Sequence, residues 1–475
     1  MRSSLPPASL LISVGALLFT SPACAQSRDA EDIYAQFCAS CHGANLAGGS
    51  APSMLDDEWV HGGTDADIAR VITEGALDQG MPAWGPALTD AEIRALVVYL
   101  RERRAGYVRR PDSLPMPDSE HVFNTSAQRY RIETVIDDID TPWSLNWLPD
   151  GTMLVTEKSG TLRLFRDGEL SPAIMDTPWV DSSGQAGLLE VAPHPDYARN
   201  GWIYLTFSDP QVNAAGDNVS FTKVVRGRIS DGTWTDEEVI FAADVELYRR
   251  PGGPHYGSRI AFDDHGYIYF SIGDRGSSEH AQDLGRPNGK IHRLHDDGRV
   301  PADNPFVHEP GAIASIWSYG HRNPQGLDID PQDGRLWDTE HGPRGGDELN
   351  IIEKGHNYGW PVITYGMNYN GTPITAETAR DGMDQPVTHW TPSIAVCGID
   401  FYEGNAFPAW KGNLLVTALA QQHVRRVVIE AGQVVEQEVI FEGFGRCRDV
   451  ASGPDGTIYI ALNGPNRVVR LVPVE

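Results

Sequence analysis

Basic residues are scarce in this chain: its 475 residues include 38 Lys and Arg against 65 Asp and Glu, a net charge of -27. A surface that acidic repels phosphate backbones and anionic lipid, which argues against nucleic acid as a partner. Long apolar runs are missing after the first twenty residues, and none approaches the length needed to span a bilayer. Helical periodicity of any length is missing after Tyr130, so a doubly wound α/β fold is not expected there. Cysteine is rare, five in all, and two of the five share one short motif with a histidine. The length allows two or three domains.

What is present begins with a single charge, Arg2, followed by the apolar run "LLISVGALLF" and the small-residue site "ACA" before Gln26. This is the pattern of a secretory signal peptide over residues 1–25, cut after Ala25. A lipoprotein anchored through Cys24 is the rival reading, although Ser21 stands where such sites usually carry leucine. Either way the chain is expected outside the cytosol, in the periplasm, where haem attachment and disulfide formation belong.

"FCASCHG" places Cys38, Cys41 and His42 at the spacing of a c-type haem site, with two thiols for the haem vinyl groups and an imidazole for the iron. A CxxC pair can also hold zinc, but no second thiol pair is nearby. The sixth iron ligand is expected to be Met81, in the Gly- and Pro-rich loop "GALDQGMPAWG", with Met54 and His61 as competitors. Helices flank the site. "DAEDIYAQF" leads into the cysteines, and "TDAEIRALVVYL" opens with a Thr89/Glu92 capping box and carries Ile93, Leu96, Val97 and Leu100 on one face. Residues 26–103 resemble the small all-α class I cytochromes c. Residues 104–127 turn basic and then Pro-rich, and read as a linker that keeps the haem at high effective concentration.

From residue 128 to 475 an apolar strand, an Asp/Gly turn and an alternating strand recur six times, from "SLNWLPDGTMLVTE" to "DVASGPDGTIYIALN". The spacing is uneven and suits a six-bladed β-propeller with long loops. "RYRIETV" near Tyr130 is expected to pair with the last blade and close the ring. A fold of this kind says nothing about chemistry by itself.

Some loops are more polar than a turn requires. His255 precedes one strand and Asp274 follows the next, so a hairpin could bring them together. The carboxylate would then fix the imidazole tautomer and raise its basicity. A surface histidine and a turn aspartate is the plainer alternative. "YGHRNPQG" holds Arg322 and Asn323, and "GFGRCRDV" holds Arg446 and Arg448, which face the same way in an extended segment. Paired guanidiniums in so acidic a protein suggest a polycarboxylate ligand, with solvated surface charges as the alternative. Cys397 and Cys447 precede the inner strands of adjacent blades, and either a disulfide or two buried thiols is compatible with that.

"GQAGLLEVAPHPDY", "HYGSRIAF", "IGDRG", "IWSYGHRNPQGL", "EHGPRGGDELN", "NYGWP" and "GRCRDV" follow one another in order. Together they resemble the soluble PQQ-dependent glucose and aldose sugar dehydrogenases over nearly all of residues 130–473. That resemblance implies that His255 is the base for the sugar C1 hydroxyl, that Asp274 supports it and that Gln185 lies beside cofactor and sugar. It implies that Arg322 stabilises charge on the quinone oxygen, and that Asn323, Arg446 and Arg448 hold PQQ. The backbone carbonyls of Gly342 and Pro343 would bind Ca²⁺, with Asp347 and Glu348 structural. One departure stands out: the fifth-blade lysine of the glucose branch is missing from "VTALAQQHV".

The expected whole is an exported quinohaemoprotein that oxidises aldoses to lactones, loads the fused haem c and passes electrons to a downstream acceptor. A propeller that only binds sugars or glycans is the alternative from another class. A calcium-dependent lactonase is a third, but converging acidic ligands are not evident for it. Neither alternative explains the haem.

Overall fold

The computed structural model describes residues 28–56, 58–106 and 112–474. The expected signal peptide and Cys24 lie outside the described residues, as does part of the expected linker.

Four helices build the N-terminal part. Helix α1 (Ala30–Phe37) is capped by Asp29, which accepts from the Asp32 amide, and the short α2 (Ala39–His42) follows it. Helices α3 (Asp65–Glu74) and α4 (Asp90–Arg104) each open with a full capping box, Thr64/Asp67 and Thr89/Glu92. Each box satisfies amides that a helix start leaves without partners. The predicted face of α4, Ile93, Leu96, Val97 and Leu100, packs with Ile33 and Tyr34 of α1 and Ile68 and Ile72 of α3. Arg94, Val98 and Glu102 on the other side of α4 are buried too. They face the second domain: Arg94 Nη2 donates to the Tyr365 carbonyl at 2.8 Å, and Met367 is wholly buried within the helical core.

The rest of the chain is six antiparallel sheets, one of five strands and five of four. Their first strands, Pro142–Trp147, Leu188–Pro193, Ile260–Phe262, Pro324–Ile329, Val396–Phe401 and Arg446–Ser452, touch one another in sequence around a ring. Each predicted repeat is the inner hairpin of one blade. The Asp/Gly turns need a left-handed residue, and Gly151 and Gly266 supply it at φ 84° and 79°. Arg129–Ile136 pairs antiparallel with Arg467–Pro473, with Tyr130 opposite Pro473, so the segment read as a ring closure closes the ring. The chain is therefore a six-bladed β-propeller preceded by a small all-α domain.

A buried knot ties the inner strands. Arg259 Nη1 lies 2.8 Å from both Glu190 and Asp449, its Nε donates to the Gln325 carbonyl at 2.7 Å, and its Nη2 donates to the Arg448 carbonyl at 3.0 Å. One guanidinium thus joins strands of four blades.

Candidate active site

The haem motif sits at the junction of α1 and α2. Cys38 ends α1, its amide donating to the Tyr34 carbonyl at 2.9 Å, and Cys41 and His42 lie in the next turn. Both thiols are free and Cys41 is exposed. Burial holds the His42 imidazole below its ordinary pKa, in the neutral state that ligates metals, and its Nδ1 is buried without a hydrogen-bond partner. Two free thiols beside a neutral, partly orphaned imidazole fit covalent haem. Met81 is held by reciprocal backbone hydrogen bonds with Ala76 at 2.9 and 3.1 Å. The chain turns there at Gly75, where a Cβ would meet Ala83 N at 2.6 Å. His61 Nε2 pairs with Gln79 at 3.1 Å, whereas Met54 packs on the same core as Met81.

In the propeller the expected base and its support do meet. His255 Nδ1 is 2.6 Å from Asp274 Oδ1, and Trp360 Nε1 and the Gly276 amide donate to the same carboxylate at 2.8 and 2.7 Å. His255 sits at φ 61°, a left-handed conformation that a bulky residue holds only where its surroundings enforce it. Part of the enforcement comes from Gln185 Oε1, which accepts from the His255 amide at 2.8 Å. The expected rise in basicity is not found. Burial, joined by the charge of Arg322, outweighs Asp274 and holds His255 below the usual imidazole range. Burial raises Asp274, but His255 and Arg322 more than offset it, so this carboxylate stays ionised.

A cavity of about 610 Å³ is bordered by Gln185, Asn323, Pro343, Arg446 and Arg448 among the expected residues; His255, Asp274, Arg322 and Gly342 do not line it, and Gln185 joins it to His255. Arg448 reaches neutral partners, Gln325 at 2.9 Å and Asn463 at 3.2 Å. Arg322 is turned aside, its Nη1 donating to the His341 and Gly342 carbonyls at 2.9 and 2.8 Å. It borders a small cleft of about 10 Å³ with Gly342, Glu348 and Trp360.

His341 and Lys158 are among the pocket residues that escaped the sequence reading. His341 Nε2 is buried without a partner, and burial together with the charges of Arg322, Arg448 and Arg446 holds this ring well below its ordinary pKa. Lys158 comes from a turn of the first blade, and burial and the charge of Arg448 lower its pKa. An orphaned nitrogen amid so many cations fits a bound polycarboxylate, which would supply both acceptor and counter-charge. In the fifth blade Leu419 and Ala420, from the stretch without a lysine, border the cavity. Lys158 borders the same cavity from the first blade, its Nζ donating to the Ser182 carbonyl at 2.7 Å.

For calcium the fit is conditional. The Gly342 carbonyl keeps a second lone pair beside its bond from Arg322, but a dication next to a guanidinium needs added negative charge. Asp347 accepts from the Gly342 amide, Ser393 and the Ala395 amide at 2.9, 2.8 and 2.6 Å, and burial pushes it up to about 6. Its contacts brace the Gly342–Pro343 turn. Deeper in the fourth blade His321, Asp338 and Glu340 bring ligand atoms within 4.8 Å of one another, the group of this kind among the described residues that could hold a metal ion. Cys397 and Cys447 are both buried free thiols, so the structure has no disulfide between them; Cys397 Sγ accepts from Arg448 at 3.3 Å.

Comparison with known proteins agrees with this architecture. The Glucose / Sorbosone dehydrogenase family matches residues 139–470, and the family described as Cytochrome C oxidase, cbb3-type, subunit III matches residues 25–100. Aldose sugar dehydrogenase YliI of Escherichia coli is 41% identical over 336 residues, covering 69% of this chain and 89% of the relative. The apo crystal structure of the soluble aldose sugar dehydrogenase from Escherichia coli superposes with a TM-score of 0.68 at 38% identity, over 73% of this chain and 100% of that one. The PQQ-bound aldose sugar dehydrogenase of Streptomyces coelicolor gives 0.58 at 28% identity, over 72% of this chain and 98% of that one. With a cytochrome c domain joined ahead of its propeller, the chain belongs to the glucose/sorbosone dehydrogenase family.

Proposed function

We propose that this protein is an exported quinohaemoprotein that oxidises aldose sugars at C1 to lactones and hands the electrons to its own haem c. The observation that carries the reading is that Asn323, Arg446, Arg448 and the orphaned His341 border one cavity, which Gln185 links to the base. PQQ, when bound, would supply the quinone that accepts hydride from the sugar. Asp274 holds the proton of His255 on Nδ1, which leaves Nε2 free to take the proton of the C1 hydroxyl. Asn323, Arg446, Arg448 and Lys158 would hold the carboxylates, and Arg322 would face the charge that develops on the quinone oxygen. Calcium would join at the Gly342 and Pro343 carbonyls once those carboxylates are in place. His42 and Met81 would ligate the haem iron, with Cys38 and Cys41 its covalent anchors.

In this reading residues 1–25 direct export to the periplasm, 26–103 carry the haem, 104–127 link and 128–475 form the dehydrogenase. A downstream carrier oxidises the haem. The test is stopped-flow reduction of the haem after reconstitution with PQQ and Ca²⁺. An aldose should reduce it in the wild type, and His255→Gln should slow that by ~10² to 10⁴-fold, the usual cost of losing a general base. Retained sugar oxidation in the variant would point to the sugar-binding reading instead. Sugar oxidation without haem reduction would leave the dehydrogenase standing and remove the internal relay.

A further inference from the structure

The cavity is not built from the propeller alone. Glu102, in the last turn of α4, borders it together with Arg344, Tyr369 and Pro343. Glu102 is buried, and Arg344 Nε donates to its two carboxylate oxygens at 3.2 and 2.9 Å. The placement is not a chance touch of two loops. Around it the Ala30 amide donates to the Gly371 carbonyl at 3.0 Å, Arg94 binds the Tyr365 carbonyl, Met367 fills the helical core, and Val98 packs so near Gly345 that a Cβ there would meet it at 3.2 Å. Every propeller residue in these contacts belongs to the segment 343–371, the one that also brings Pro343, Arg344 and Tyr369 to the cavity.

We propose that the haem domain is one wall of the sugar site, with Glu102 accepting a hydrogen bond from an aldose hydroxyl while Arg344 holds its carboxylate in place. The inference rests on the dehydrogenase reading above, and it places a substrate-selecting residue outside the family's own fold. The cavity's remaining charge is positive and suited to the cofactor's carboxylates. A sugar, neutral and rich in hydroxyl donors, is the ligand that the remaining acceptor capacity of the Glu102 carboxylate can recognise. Arg344 is paired with that carboxylate, so it is a positioning residue and not one of the cofactor's cations.

The test uses the full chain reconstituted with haem, PQQ and Ca²⁺, with an artificial dye as acceptor so that the haem relay does not limit the rate. Glu102→Ala should raise KM for aldoses, glucose first, about tenfold, the size of one hydrogen bond to a charged group, with a much smaller fall in kcat. Glu102→Gln keeps an acceptor and should raise KM by less. PQQ titration should give the same affinity in all three proteins. Unchanged KM in both variants, or a KM change matched by weaker PQQ binding, overturns the inference. If wild-type protein oxidises no aldose, the proposed function and this inference fall together; oxidation with unchanged KM removes the inference alone.

Discussion

Three different influences act on the His255 imidazole. Asp274 fixes the tautomer, Gln185 fixes the backbone, and burial with Arg322 keeps the ring neutral. Because the folded pKa lies below the ordinary value of 6.5, the base stays unprotonated as pH falls through 6.5 and is lost only further down. The acid limb of kcat/KM should therefore lie below pH 6.5. Asp274→Asn removes two contributions that raise His255, so that limb should move lower still, while the rate falls ~10²-fold because the tautomer is no longer enforced. A limb that moved upward in a pH–rate profile would contradict this assignment. These residues were legible in the sequence because each lies in a short motif with an unusual polar residue beside a strand. His341 and Lys158 were not. One lies in a motif that drew attention only for its backbone, and the other comes from a tight turn whose direction no periodicity encodes.

At the scale of elements the readable signals were local ones. The Thr89/Glu92 box, the apolar face of α4 and the six inner hairpins repeat on the scale of a turn or a strand pair, and the structure follows them. The second buried face of α4 could not be read this way, because Arg94 and Glu102 look like solvent residues until their partners at 365 and 344 arrive from another domain. The Arg259 knot is likewise invisible in sequence, since its partners are scattered over three strands of three other blades. Its stability effect is open to measurement. Arg259→Leu would leave Glu190 and Asp449 buried without their cation, and breaking a buried pair in this way costs about 3–5 kcal/mol. A drop of that size in denaturant unfolding is expected, with PQQ affinity also weakened because the Arg448 carbonyl loses its anchor. Adding Glu190→Gln and Asp449→Asn to the same protein should recover part of the loss, since the uncompensated charges are then gone.

At the scale of the whole molecule, the two domains share a core through Met367 and an ion pair between Arg344 and Glu102, so in the proposed relay the propeller and its acceptor are held together. Haem reduction by sugar should then follow a first-order rate that does not change with protein concentration. Met367→Asp puts a charge into the helical core and should unseat that domain, giving slower reduction that speeds up as protein is concentrated. The ring seam also sets the order in which the protein can be finished. Glu133 meets its partner Arg470 across 337 positions, and Arg94 meets Tyr365 across 271. A nascent chain thus completes its haem domain while the surface that will receive it is still unwritten, and it carries Arg129–Ile136 as an open edge until the final strand emerges. A message truncated before that strand yields a ring that never shuts, with bare edges for proteases to find.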